Sequence, residues 1–159
     1  MTVDEYLKNV LITGNKINSL DYLKLGIFEE LGEISGKIKK YRRGDYKKEE
    51  FKNNIKKEIG DLLWYLVLYS HVNKTPIKNF NKPRDKRIME SIDKLYVLVN
   101  FLKLKNNNIR GKVIKSMINS TIDLSWSFGY TIDDICKTNV IKIQDRLRRN
   151  KIKGSGDER

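Results

Sequence analysis

Apolar residues recur at intervals of three and four along most of the chain, and strand-like alternation is rare. This pattern is typical of amphipathic helices that each bury one face. We therefore predict an all-α antiparallel bundle of about six helices with short connections. The predicted helices cover approximately residues 3–18, 21–42, 47–72, 86–105, 110–128 and 132–150.

Glycine, proline and asparagine mark the breaks between these helices. Gly44, in "RRGD", and Gly129 are suited to ending the second and fifth helices. The segment "NKTPIKNFNKPRD" (73–85) contains both prolines and predicts a loop. Asp133 and Asp134 suit the positive end of the last helix, and the chain closes on a flexible-looking "KGSGDER".

The length of 159 residues favours one domain, spanning 1–159, with a sizeable core. A weak internal similarity relates "EIGDLLW" (58–64) to "STIDLSW" (120–126). The same shift places Ile92 opposite Glu30 and Leu95 opposite Glu33. Residues 73–129 are thus a candidate insertion or a degenerate repeat that lost its acids, and chance similarity is an equally good explanation.

Several features point to a cytoplasmic protein with no membrane contact. No apolar run approaches the roughly 20 residues that cross a bilayer. The start, "MTVDEYLKNV", has acids where a signal peptide has a basic patch. The single Cys136 cannot form an internal disulfide, which fits a reducing compartment.

The net charge of +13 by itself suggests a nucleic-acid partner. However, the chain is rich in Lys, Asn and Ile and has no alanine, a bias typical of an AT-rich genome. The charge is also uneven: residues 1–35 carry a net −3, and residues 137–159 carry a net +5. This distribution predicts a local acidic site that faces basic segments.

The acids form two pairs at helical spacing. Glu30 and Glu33 are three residues apart, as are Glu58 and Asp61, so each pair projects from one side of its helix. Asp61 is followed directly by "LLWYLVL", which must be core. The face that carries Asp61 therefore lies at the core boundary.

The second and third helices are predicted antiparallel neighbours around Gly44. Both acid pairs lie at similar distances from this turn, so they should meet at one height. Four carboxylates in a partly buried site need a cation, and oxygen ligands favour Mg²⁺ or Mn²⁺. Ordinary surface salt bridges are the alternative, with the nearby lysines Lys37, Lys40, Lys56 and Lys57.

The segments "EELGE", "EIGDLLWYL" and "NVIKIQDRLRRNKIKGSGDER" stand in an order and at a spacing that resemble the MazG-type nucleotide pyrophosphohydrolases, within the all-α NTP pyrophosphatase superfamily. The resemblance covers roughly residues 1–72 and 130–159. The positions that carry it are Leu25, Gly26, Glu29–Glu33, Lys39, Lys40, Glu58–Tyr65, Asn139, Lys142, Arg146, Gly154, Gly156, Asp157 and Arg159.

The resemblance implies a four-helix catalytic core with an extra helical segment, and Mg²⁺-dependent hydrolysis of a nucleoside triphosphate to monophosphate and pyrophosphate. It implies metal ligation by Glu30, Glu33, Glu58 and Asp61. Glu29 would orient or deprotonate a water, or serve as a further ligand. Mn²⁺ is a possible substitute for Mg²⁺, and family members generally assemble as dimers or tetramers.

The same resemblance implies that basic and polar side chains bind the triphosphate. Lys142 and Arg146, four residues apart on the last helix, are the best candidates for cationic hydrogen-bond donors to the phosphates. Asn139 would bond phosphate, sugar or base. The remaining substrate-binding candidates are Lys40, Asp157 and Arg159.

Two alternatives to an enzyme remain at this stage. A basic helical nucleic-acid-binding module would use "RLRRNKIK" and give the acids no role, but we do not expect nucleic acid as the partner. A catalytically silent regulatory protein of the same fold is the other alternative. The base, the sugar and the number of metal ions do not follow from the sequence.

Overall fold

The computed structural model describes residues 1–149, and within them the chain forms six α-helices, one short 3₁₀-helix and no strand. The all-α prediction is therefore confirmed. None of the helices in this part of the chain is long and apolar enough to span a bilayer. The helices are α1 (Val3–Gly14), α2 (Leu20–Arg43), α3 (Lys48–Val72), α4 (Ile88–Val99), α5 (Asn107–Ser127) and α6 (Ile132–Arg148), and the 3₁₀-helix is Asn100–Lys103.

Local capping explains the observed starts of α2 and α5, which differ from the predicted ones. α2 begins at Leu20, one residue before the predicted start, because the Ser19 hydroxyl caps it by accepting a bond from the Tyr22 amide. α5 begins at Asn107, earlier than predicted, because the Asn106 side chain caps it. The predicted fourth helix is too long, since the regular α-helix ends at Val99.

α3 is the central helix of the bundle. It packs against α1, α2, α5 and α6, and its Leu62, Leu63 and Leu66 are completely buried. α2 runs antiparallel to α3 after a turn at Gly44, whose φ of +89° favours glycine. The antiparallel packing of α2 and α3 is the arrangement that the two acid pairs need in order to meet at one height.

The loop between α3 and α4 is held on the bundle by specific contacts. The Phe80 ring packs beside Tyr6, and the Asn81 amide donates to Asn119 Oδ1 at 2.9 Å. The strongest contact joins Arg84 to Asp123 of α5, which accepts from the Arg84 backbone and guanidinium at 2.7–3.2 Å. Asp123 is only 3% exposed, so this ion pair fixes the loop against α5.

α4 and α5 pack on each other as α2 and α3 do. In the internal alignment, Asp123 corresponds to Asp61, while Ile92 and Leu95 of α4 take the positions of Glu30 and Glu33 and are buried. The second pair therefore has apolar packing where the first has acids. The assignment of residues 73–129 as an insertion or a degenerate repeat stays a prediction, as does the single-domain boundary.

Two motif glycines permit close helix packing. A Cβ added at Gly26 would overlap the Tyr65 ring, which lies directly on α2. A Cβ added at Gly60 would lie 3.1 Å from the Asn139 Cβ, so Gly60 lets α6 approach α3. By contrast, Gly36 of α2 faces open space.

We expect Gly26→Ala to destabilise the protein by about 1–3 kcal/mol, because the Tyr65 ring must move to make room. The matched change Gly36→Ala should stabilise it by up to about 1 kcal/mol, since alanine favours a helix and meets no atom there. Urea unfolding of both variants measures the two effects. Equal stability changes in the two variants would show that Tyr65 does not pack on Gly26 as described.

Candidate active site

α2 and α3 bring three carboxylates together. One oxygen each from Glu30, Glu33 and Glu58 lies within 4.8 Å of the others, the only such group among residues 1–149. Glu58 is completely buried, Glu30 is 9% exposed and Glu33 is exposed. The group, hereafter the acid cluster, is therefore closed on the protein side and open to solvent on one side.

Asp61 borders the acid cluster but faces α6. Its Oδ1 accepts from Asn139 Nδ2 at 2.8 Å, and its Oδ2 pairs with the Lys142 ammonium. Both Asp61 and Lys142 are largely shielded from solvent. Helix α6 thus places an amide and a cation beside the acids of α3.

Lys37 is a member of this site that the sequence interpretation treated only as a surface salt-bridge partner. Its Nζ lies 3.1 Å from Glu58 Oε1, and the pair is largely buried. Lys37 follows Glu33 by one helical turn, so it shares a face with the acids of α2. That spacing was the available signal, but burial was needed to distinguish this contact from an exposed pair.

The electrostatics of the acid cluster disfavour full ionisation. The pKa of Glu30 is raised from 4.5 to about 9, mainly by burial and then by the charges of Asp61, Glu33 and Glu58, in that order. Lys142 opposes the shift without cancelling it. A divalent cation would supply the missing positive charge, and an all-oxygen donor set fits Mg²⁺ or Mn²⁺.

Two other residues predicted for the site, Glu29 and Lys40, lie outside the acid cluster. Glu29 is exposed and outside the group of three acids. Lys40 is exposed and two helical turns beyond Glu33. Asp157 and Arg159 lie outside the described residues.

Helix α6 carries Asn139, Lys142 and Arg146 at intervals of three and four. Asn139 is 2% exposed, and its Oδ1 accepts from the Tyr6 hydroxyl at 2.8 Å. Arg146 is half-buried, and its Nε has no hydrogen-bond partner among residues 1–149. Lys142 therefore offers a cationic group next to Asp61, and Arg146 follows it one turn further along α6, whereas the Asn139 amide bonds within the protein.

This arrangement defines a class of protein: an all-α bundle whose adjacent antiparallel helices present a carboxylate cluster beside a cationic helix. Residues 18–81 match the family model of the MazG nucleotide pyrophosphohydrolase domain. Over residues 18–81 this match supports the MazG-type family that the motifs indicated. Comparisons with curated proteins and with solved structures found no significant match.

The matched segment covers α2, α3 and the first part of the following loop. The acids predicted for catalysis and metal binding all lie in this segment, as does Lys37: they are Glu29, Glu30, Glu33, Glu58 and Asp61. The partners of Asp61, which are Asn139 and Lys142 of α6, lie outside it, as does Tyr6 of α1, which bonds Asn139. The family match thus describes the acidic half of the site, and the structure adds the other half.

The raised pKa of Glu30 predicts that metal-free protein loses stability as the pH rises from 4.5 to about 9. Over this range the folded state holds a proton that the unfolded state has released, so ionisation favours unfolding. Glu30→Gln should flatten the dependence, whereas Glu29→Gln, at an exposed neighbour, should not. Urea unfolding in EDTA across this pH range measures the slopes. Identical slopes in wild type and Glu30→Gln would contradict the assigned shift.

Proposed function

We propose that this protein hydrolyses nucleoside or deoxynucleoside triphosphates to the monophosphate and pyrophosphate, with Mg²⁺ as cofactor and Mn²⁺ as a possible substitute. The observation that carries the proposal is the acid cluster on α2 and α3, within the segment of MazG type. A role in maintaining the nucleotide pool follows from this reaction.

The residues that would hold the metal are Glu30, Glu33 and Glu58, with Asp61 beside them. Their carboxylates form a negative site that is buried on one side and open on the other. Bound Mg²⁺ supplies charge neutralisation for the triphosphate and lowers the pKa of a water. Because Lys37 and Lys142 already contact Glu58 and Asp61, the protein offsets part of the repulsion itself.

The phosphate oxygens need cationic donors on the open side of the site. Lys142 and Arg146 lie one turn apart on α6, which packs against α3. Asn139 fits a supporting role here, because its amide bonds Asp61 and is almost fully buried. Lys40 and the terminal Asp157 and Arg159 complete the proposed substrate-binding set.

Glu29 is proposed to orient or deprotonate the attacking water, or to serve as a further ligand. It is next to Glu30 in sequence but exposed, so its carboxylate is accessible from solvent. This accessibility separates its role from those of the buried acids, which can only act within the cluster.

A homo-oligomer, either a dimer or a tetramer, is also proposed. α2 exposes Tyr22, Leu25 and Phe28 by 40–63%, which is apolar surface suited to contact with a second copy. Leu25→Lys should weaken that assembly, and light scattering after size-exclusion chromatography measures the mass. A wild-type protein that is monomeric at micromolar concentration would contradict this proposal.

The activity test is a panel of NTPs and dNTPs incubated with the protein and Mg²⁺. We expect monophosphate and pyrophosphate as products and no reaction in EDTA. Orthophosphate with a diphosphate product would contradict the proposed bond cleavage. Untouched triphosphates combined with salt-dependent DNA or RNA binding would favour the nucleic-acid-binding alternative.

Glu58→Gln should reduce the rate by at least about 100-fold, because it removes a buried charged oxygen donor without changing the shape of the side chain. Glu50→Gln is the matched control, since Glu50 lies on the same helix but is exposed and outside the acid cluster. Initial rates of pyrophosphate release measure both variants. Equal rates for the two variants would remove the acid cluster from the mechanism.

A further inference from the structure

Tyr6 of α1 is a buried residue that contacts the site from outside the segment of MazG type. It is completely buried, and its hydroxyl donates to Asn139 Oδ1 at 2.8 Å, with the Gly60 carbonyl at 3.4 Å. A buried phenol generally keeps a partner for its hydroxyl. Here that partner is an amide of the site, 133 residues away in sequence.

A second hydrogen bond links the Asn139 amide, and through it Tyr6, to an acid of the site. Asn139 accepts from Tyr6 through Oδ1 and donates through Nδ2 to Asp61 Oδ1 at 2.8 Å. The oxygen and the nitrogen of the Asn139 amide therefore each have a hydrogen-bond partner. A reversed amide would set its oxygen against the Asp61 carboxylate, so the Tyr6 hydroxyl supports the orientation that Asp61 requires.

Two observations indicate that this chain of bonds is stable. Burial raises the pKa of Tyr6 well above its ordinary value, with smaller contributions from Cys136 and Asp61, so the hydroxyl remains a donor. In addition, the amino group of Met1 lies 2.5 Å from Asp133 Oδ1. That ion pair joins the start of α1, which carries Tyr6, to the start of α6, which carries Asn139.

We propose that Tyr6 is a positioning residue that acts through Asn139 to hold the Asp61 carboxylate at the edge of the acid cluster. The inference rests on the proposed function for the role of the site as a metal centre. Groups that orient metal ligands typically change metal affinity by 10–100-fold. Since Tyr6 is one bond further away, we expect a smaller effect, of about 3- to 10-fold.

The test is a Mn²⁺ titration of the full chain, followed by the electron paramagnetic resonance signal of free Mn²⁺. Tyr6→Phe should weaken Mn²⁺ binding by about 3- to 10-fold. Tyr130→Phe is the matched control, because the Tyr130 hydroxyl donates to the Lys52 carbonyl at 3.1 Å and lies outside the Asp61 network. It should leave the affinity within about twofold of wild type.

A double-mutant cycle separates positioning from a general loss of structure. Tyr6→Phe should have no further effect in an Asp61→Asn background, because its action passes through Asp61. Asn139→Ala breaks the same chain at its centre and should weaken Mn²⁺ binding at least as much, so it carries the test if Tyr6→Phe unfolds. Circular dichroism confirms that each titrated variant is folded.

The inference is overturned if wild type does not bind Mn²⁺, if Tyr6→Phe binds as tightly as wild type, or if Tyr130→Phe weakens binding equally. An undiminished effect in the Asp61→Asn background also overturns it, as does wild-type affinity in Asn139→Ala. Triphosphate hydrolysis measured in parallel distinguishes a failure of the proposed function from a failure of the positioning role. Weakened Mn²⁺ binding without any wild-type hydrolysis would reject the proposed function and retain the positioning role.

Discussion

The repulsion among carboxylates between α2 and α3 is the constraint on which the site depends. Glu58 is fully buried and Glu30 nearly so, although each lies close to other acids. Unpaired buried charges are costly, so the fold must either protonate them or bring positive charge to them. It does both: the pKa of Glu30 is raised to about 9, and Lys37 lies beside Glu58. A site in this condition is prepared for a divalent cation.

The remaining helices can be understood by what they add to this pair. α6 packs on α3 at Gly60 and delivers Asn139 and Lys142 to Asp61. α1 packs on α3 and α6, and Tyr6 is its contact with the Asp61 network. The acids therefore come from one helix pair, and the groups that orient or neutralise Asp61 come from the two ends of the chain.

The α4–α5 pair packs in the same way but has no repulsion among clustered carboxylates. Asp123, which aligns with Asp61, is held by Arg84 from the preceding loop. The positions that align with Glu30 and Glu33 are Ile92 and Leu95, which are buried in the core. An apolar pair of this kind stabilises the bundle through burial alone. Among residues 1–149, the acid cluster therefore belongs to the α2–α3 pair and has no counterpart in the α4–α5 pair.

The sequence by itself determined the helical class, the antiparallel α2–α3 pair and the approach of Glu30 and Glu33 on one helix to Glu58 on the other. These depend on local properties: a periodicity of 3.6, a glycine turn and spacings within one helix. The exact helix ends were harder to predict: Ser19 and Asp21 are both residue types that cap helices, and only the structure shows that Ser19 caps α2. Only the tertiary structure decided that Asp61 turns to α6, that Lys37 is buried against Glu58, and that Tyr6 bonds Asn139. Those contacts join residues from different helices, up to 133 positions apart, and depend on side-chain packing that no local pattern encodes.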